Sequence, residues 1–94
     1  MQTFEWDEAK AATNYRKHGI RFQLAIRAFD DPFAVVTQDR VVDGEARWQT
    51  LGLVDGLLLL LVAHTVRHEI DAEVIRIISA RKPSQHERKR YENG

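Results

Sequence analysis

Cysteine is absent from this 94-residue chain, so it has no disulfide, no thiolate nucleophile and no cysteine-based zinc finger. That absence suits a reducing cytoplasm, where the protein is expected to act. Long apolar runs are also missing. The longest, Leu57 to Ala63, has seven residues, against the ~20 that a membrane-spanning helix needs. The N-terminus, MQTFEWDEAK, lacks the basic-then-apolar order of a secretory signal. There is no glycine-rich phosphate loop, no G-x-S-x-G and no H-E-x-x-H. His64 and His68 are four apart, a metal-binding spacing only on a helix, and His64 falls in a strand-like segment. No metal site and no cofactor are therefore expected. The length suits a single domain over residues 1–94, because two cores of half this size would bury too little surface.

Net charge is zero, yet the charges are unevenly placed. Residues 31 to 75 carry three basic and eight acidic side chains, whereas residues 76 to 94 carry six basic and two acidic. Such a molecule offers one surface to a polyanion and another to a basic partner. The sharpest change lies in VIRIISARKPSQHERKRY, residues 74 to 91, which begins as an apolar strand and turns basic.

The local signals predict the order β-α-α-β-β-β-β-α, an α+β fold with an antiparallel sheet. TFEW alternates like an edge strand. Asp7 is an N-cap and Gly19 a left-handed C-cap, framing a helix to His18. Phe22, Ala25, Ile26 and Phe29 make one face of a second helix, which Asp31-Pro32 stops. FAVVT is read as a short strand and QDRVVDGEA as a polar loop. ARWQTLGLV, Asp55-Gly56 and LLLLLVAHTV form a hairpin, because Asp-Gly accepts the positive φ values of a two-residue turn. Facing positions then sum to 111, which sets Arg47 opposite His64. After a charged turn, RHEIDAE, comes the strand VIRIISA. Ser84 and Glu87 form a capping box that starts a last helix, running to about Tyr91.

Arginine, lysine, histidine and tyrosine around a small sheet suit RNA cleavage without a metal. In that reaction the ribose 2′-hydroxyl attacks the adjacent phosphate. A proton must leave the hydroxyl, charge on phosphorus must be stabilised, and the 5′-oxygen must be protonated. Arginine supplies permanent bidentate contacts to phosphate, and histidine moves protons near neutrality. Arg76 interrupts an apolar strand, so it either pairs with an acid or holds a phosphate. Arg81 and Lys82 sit at the strand exit, where both can reach one anion. Arg47 opposite His64 is either a site or a strand end meeting solvent. Arg88, Lys89 and Arg90 read mainly as solvated face, and Trp6 and Trp48 mainly as packing.

Several segments in order carry a resemblance: F-E-W-D at 4 to 7, R-K-H-G at 16 to 19, F-x-x-A at 22 to 25, and D-P at 31 to 32. G-E-x-R-W at 44 to 48, H-T at 64 to 65, I-R-I-I-S-A-R-K at 75 to 82 and E-R-x-x-Y-E at 87 to 92 complete it. Together they resemble the BrnT toxins, ribonucleases of type II toxin–antitoxin modules. The resemblance implies a RelE-like fold, with two N-terminal helices on a small antiparallel sheet and a further C-terminal helix. It implies endoribonuclease activity that halts translation. It also implies a ribbon-helix-helix antitoxin of BrnA type, through which alone the complex meets operator DNA. Carried over by position, Arg76, Arg81 and His64 are expected to be catalytic and Arg47 and Lys82 to bind substrate; beside them Tyr91 is expected to bind substrate by stacking a base. Two departures stand out. Arg21 replaces the usual Ser or Thr ahead of the second helix, and the turn between His64 and Val74 looks long and acidic.

Overall fold

The computed structural model describes residues 1–94. β1 (Gln2–Glu5) leads into α1 (Glu8–His18), then α2 (Phe22–Ala25), which tightens into a 3-10 turn over Ile26–Asp30. β2 (Val35–Val42), β3 (Glu45–Val54), β4 (Leu58–Glu69) and β5 (Ala72–Arg81) follow, and α3 (Gln85–Asn93) ends the chain. The strands form one five-stranded sheet in the order β1-β5-β4-β3-β2. The fold is α+β, with the element order that the sequence predicts.

The helix ends follow local chemistry. The Asp7 carboxylate accepts the Lys10 N–H at 3.1 Å, and Gly19 closes α1 at φ 72° with its N–H on the Tyr15 carbonyl. α2 begins at Arg21 with no side-chain cap. The Arg21 guanidinium lies instead over the Tyr15 ring, 4.1 Å from its centre. At α3 both halves of the capping box form, Glu87 N–H to Ser84 Oγ and Ser84 N–H to Glu87 Oε1.

α1 and α2 cover one face of the sheet. Phe22, Ala25 and Ala28 meet Val54, Leu60, Val62, Ile75, Ile77 and Ala80 in the main core. Each large aliphatic or aromatic side chain buried there stabilises by ~1.5–3 kcal/mol. Gly52 permits the closest approach in this core. A Cβ at that position would lie 2.2 Å from the Ala28 carbonyl oxygen. The opposite face carries a smaller cluster, Leu51, Leu59 and Leu61, on which Tyr91 of α3 packs.

The fold differs from the sequence reading in four places. β1 runs parallel to β5, because α1 and α2 together carry the chain back across one face before the antiparallel strands begin, so the sheet is mixed. QDRVVDGEA is not a loop: β2 and β3 extend to a tight turn at Asp43-Gly44, both with positive φ (52° and 79°). Most of RHEIDAE is likewise strand, turning only at Ile70-Asp71. The Asp55-Gly56 turn forms, with positive φ at both residues, but Leu57 adds an unpaired residue before β4. Val54 therefore pairs with Leu58 and Trp48 with His64. That one-residue slip turns Arg47 to the other face from His64.

Two further features shape the edges. β1 pairs with β5 only from Glu73 to Arg76, and beyond it buried Asn14 of α1 takes over. Its side-chain amide donates to the Ala80 and Ile20 carbonyls at 2.9 and 3.0 Å, and its Oδ1 accepts the Ala80 N–H at 3.0 Å. At the other edge, β2 is bulged between Gln38 and Arg40.

Candidate nucleic-acid interface

The sheet face away from α1 and α2 is divided in two. Near the Asp55-Gly56 turn it is apolar and covered by α3. Asp31 anchors that end, because its carboxylate accepts the Tyr91 hydroxyl at 2.5 Å, the Leu53 N–H at 2.8 Å and the Phe33 N–H at 2.9 Å. Burial pushes the Asp31 pKa up, but these hydrogen bonds outweigh it and leave the carboxyl below its ordinary value. The same contact raises the Tyr91 hydroxyl pKa. Tyr91 is thus committed at its ring to the leucine cluster and at its hydroxyl to Asp31.

Toward the far end the same face becomes polar and basic. In the ladder Glu5 pairs with Arg76 and Arg76 with Thr65, while Arg67 lies one position further along β4 on the same side. Arg76 Nη1 donates to Glu5 Oε2 at 3.0 Å, and Arg67 reaches both Glu5 oxygens at 3.3 and 3.4 Å. These bonds, first from Arg67 and then from Arg76, hold the Glu5 carboxyl below the usual carboxylate range. Both guanidiniums remain about half exposed.

Arg81 lies five residues beyond Arg76. In a regular strand the two would point to opposite faces. They share a face because Ile78 is an extra residue: Ser79 pairs with Ala63 and Ile77 with His64. The bulge re-aims the end of the strand. At ~3.3 Å per residue the two arginines stand roughly 15 Å apart along β5, too far to grip one phosphate. Arg81 makes a bidentate pair with Glu87 at 2.8 and 3.0 Å. This holds the Glu87 carboxyl down at about 2. Lys82 follows, exposed and in no ion pair.

On the β2 side, Arg40 sits directly opposite Arg47 in the ladder, an unfavourable like-charge pair unless an anion lies between them. Neither forms a salt bridge, and the Arg47 Nε is buried without a hydrogen-bond partner. Arg90 of α3 reaches Gln49 at 3.3 Å, two residues from Arg47 on the same face, and its Nε is buried and unpartnered too. Sequence reasoning read Arg90 as solvated and did not single out Arg40. The signal that finds Arg40 is the parity of β2 against β3, visible once Asp43-Gly44 is read as a turn; Arg90 joins the face only through the packing of α3.

His64 lies elsewhere. It is 2 % exposed on the helix-covered face, with Nε2 2.8 Å from Thr50 Oγ1 and its ring edge-on to Phe29 at 5.0 Å. Burial pushes its pKa down. It lines a cavity of about 340 Å³ with Phe29, Trp48 and Thr50. The fold therefore brings Arg76, Arg81 and Arg47 to one face, with Lys82 just past the end of β5, and separates His64 from the three arginines by the thickness of the sheet. Trp6 packs edge-on against Phe22, with ring centres 5.9 Å apart. No helix is long and apolar enough to cross a membrane.

Comparison with known proteins bears on the family and the fold. The chain is similar to the crystal structure of the Brucella abortus ribonuclease toxin BrnT, at 28% identity and a TM-score of 0.65, covering 90% of this chain and 99% of that one. Among curated proteins none matches. A family model described as the ribonuclease toxin BrnT of type II toxin–antitoxin systems matches residues 6–87, a span that includes Arg47, Arg76, Arg81 and Lys82. The chain belongs to the BrnT family of ribonuclease toxins.

Proposed function

We propose that this chain is a metal-independent endoribonuclease that inhibits translation in the cytoplasm, with RNA lying across the basic half of the open sheet face. The observation that carries the reading is the gathering of arginines from four elements (Arg40, Arg47, Arg76, Arg81 and Arg90) on one polar surface. Several of them have no acidic partner. A fixed array of guanidiniums binds a phosphodiester backbone bidentately and stabilises added charge on phosphorus. Arg76, about half exposed and paired in the ladder with Thr65, contacts the reacting phosphate. Arg81 and Lys82 hold a more distant one, and Arg47 positions the strand on the β2 side. Tyr91 serves mainly to seat α3 at the edge of the trough. A BrnA-type ribbon-helix-helix antitoxin neutralises the toxin, and operator DNA is met only through that complex.

The test is cleavage of labelled RNA by the purified chain in EDTA, beside growth arrest on induction. Arg76→Ala and Arg81→Ala are expected to abolish both while leaving the fold intact. A folded double variant that still arrests growth as the parent does refutes the assignment of this face. Salt-dependent RNA binding without cleavage would mark a binding module instead.

A further inference from the structure

The proposed reaction needs a group that accepts the 2′-hydroxyl proton, and His64 lies on the wrong side of the sheet to do so. The carboxylates on or near the arginine face can be compared in turn. Glu87 gives both oxygens to Arg81 and one also to the Ser84 N–H. Asp31 is saturated by Tyr91, Leu53 and Phe33. Asp7 caps α1, and Glu73 faces the other side, in the His64 cavity. Glu45 and Glu69 sit at the strand ends beside the turns. Glu5 remains. It stands in the row Glu5-Arg76-Thr65, in the open half of the face, and is bonded only by guanidiniums that are themselves about half exposed.

We infer that Glu5 is the general base of the RNA cleavage, standing beside the phosphate that Arg76 holds. This rests on the ribonuclease reading above. The proton of the 2′-hydroxyl passes to the Glu5 carboxylate as O2′ forms a bond to phosphorus. The bond from phosphorus to O5′ breaks, and the leaving oxygen takes a proton from water. The products are a 2′,3′-cyclic phosphate and a free 5′-hydroxyl, and Glu5 then returns its proton to solvent.

The geometry also explains how a carboxylate held by two arginines becomes basic enough. Glu5 faces Arg67 and, beyond it, Glu69 from β4, Arg76 from β5, and Asp7 just past its own strand. An arriving phosphate competes for the donors of Arg76 and Arg67 and adds negative charge nearby. Both effects weaken the hold on the carboxylate and raise its proton affinity as substrate binds. Free protein keeps Glu5 ionised and quiet, and bound RNA activates it.

The experiment uses the purified chain with a short labelled RNA across pH 4–9. Glu5→Gln keeps an oxygen for Arg76 and cannot take the proton. It is expected to lower kcat by about 100-fold or more, to change KM little, and to remove the acidic limb of the pH–rate profile. Glu5→Asp is expected to recover part of the rate and to retain that limb. Ends carrying a 2′,3′-cyclic phosphate support the step. An unchanged acidic limb in Glu5→Gln, or 3′-hydroxyl ends, overturns it. If Glu5→Gln melts below the assay temperature, Glu5→Asp decides alone: a limb shifted by the new carboxyl supports the role, and a limb that does not move overturns it. Loss of cleavage in Arg76→Ala with a normal Glu5→Gln refutes this inference only, whereas no cleavage by the parent chain refutes both readings.

Discussion

The pair between Arg81 and Glu87 ties the end of β5 to the first turn of α3, and its contribution follows from proton linkage. Folding lowers the Glu87 carboxyl from 4.5 to about 2. At ~1.36 kcal/mol per pKa unit that shift corresponds to roughly 3 kcal/mol at neutral pH. The Arg81 side chain is 37% exposed, so solvent screening reduces the figure to about 1.5 kcal/mol. The sign is that of a depressed acid. The stabilisation is complete above pH ~4.5 and disappears as pH falls toward 2. Glu87→Gln is therefore expected to lose about 1.5 kcal/mol by urea denaturation at pH 7. Parent and variant should converge as the pH approaches 2.5. Part of the loss belongs to the capping box, which Ser84→Ala removes separately. A Glu87→Gln deficit that stays constant from pH 7 to 2.5 would show that the lost stability does not come from an ionised pair.

Other perturbations test the packing and the edges. Gly52→Ala drives a methyl into the Ala28 carbonyl and should cost at least ~1–3 kcal/mol, read as a lowered Tm, with the sheet forced to move if the variant folds. Asn14→Ala leaves the Ala80 N–H and carbonyl and the Ile20 carbonyl without this partner. A loss of ~2–3 kcal/mol in a denaturant titration is expected. His64, buried with a depressed pKa, should make the parent lose stability as pH falls below ~6.5, because the unfolded chain takes up a proton that the folded one resists. The double variant Thr50→Val, His64→Leu should show a shallower slope between pH 7.5 and 5.5, and an equal slope would contradict the assignment.

The helix ends were legible because capping is local: Asp7, Gly19, Ser84 and Glu87 each act within four residues. Element order was legible for the same reason. What could not be read were single-residue offsets. Leu57, one residue after a correctly placed turn, reversed the relation of Arg47 to His64. Ile78, unremarkable in an apolar run, decided that Arg81 joins Arg76. Asn14 gave no signal at all, since an asparagine inside a helix ordinarily faces water, and its partner lies 66 residues away. The candidate site was thus half visible. The arginines could be named, but the side of the sheet on which each one stands depends on parity, which a bulge or an extra turn residue inverts. Glu5 stands within F-E-W-D with nothing local to give it a role, because its meaning comes from Arg67 and Arg76, more than sixty residues away.

Asn14 also bears on how copies of this chain meet in solution. A strand longer than its neighbour leaves bare backbone, and bare backbone recruits another strand and eventually a fibril. By lending its amide to Ala80, α1 closes that opening on β5 with a side chain that cannot propagate. On the other flank the bulge in β2 disrupts the regular ladder next to Asp39 and Arg40. Asn14→Ala should therefore do more than soften the fold. It should expose a sticky edge, and concentrated samples of the variant are expected to bind thioflavin T and scatter light where the parent stays clear.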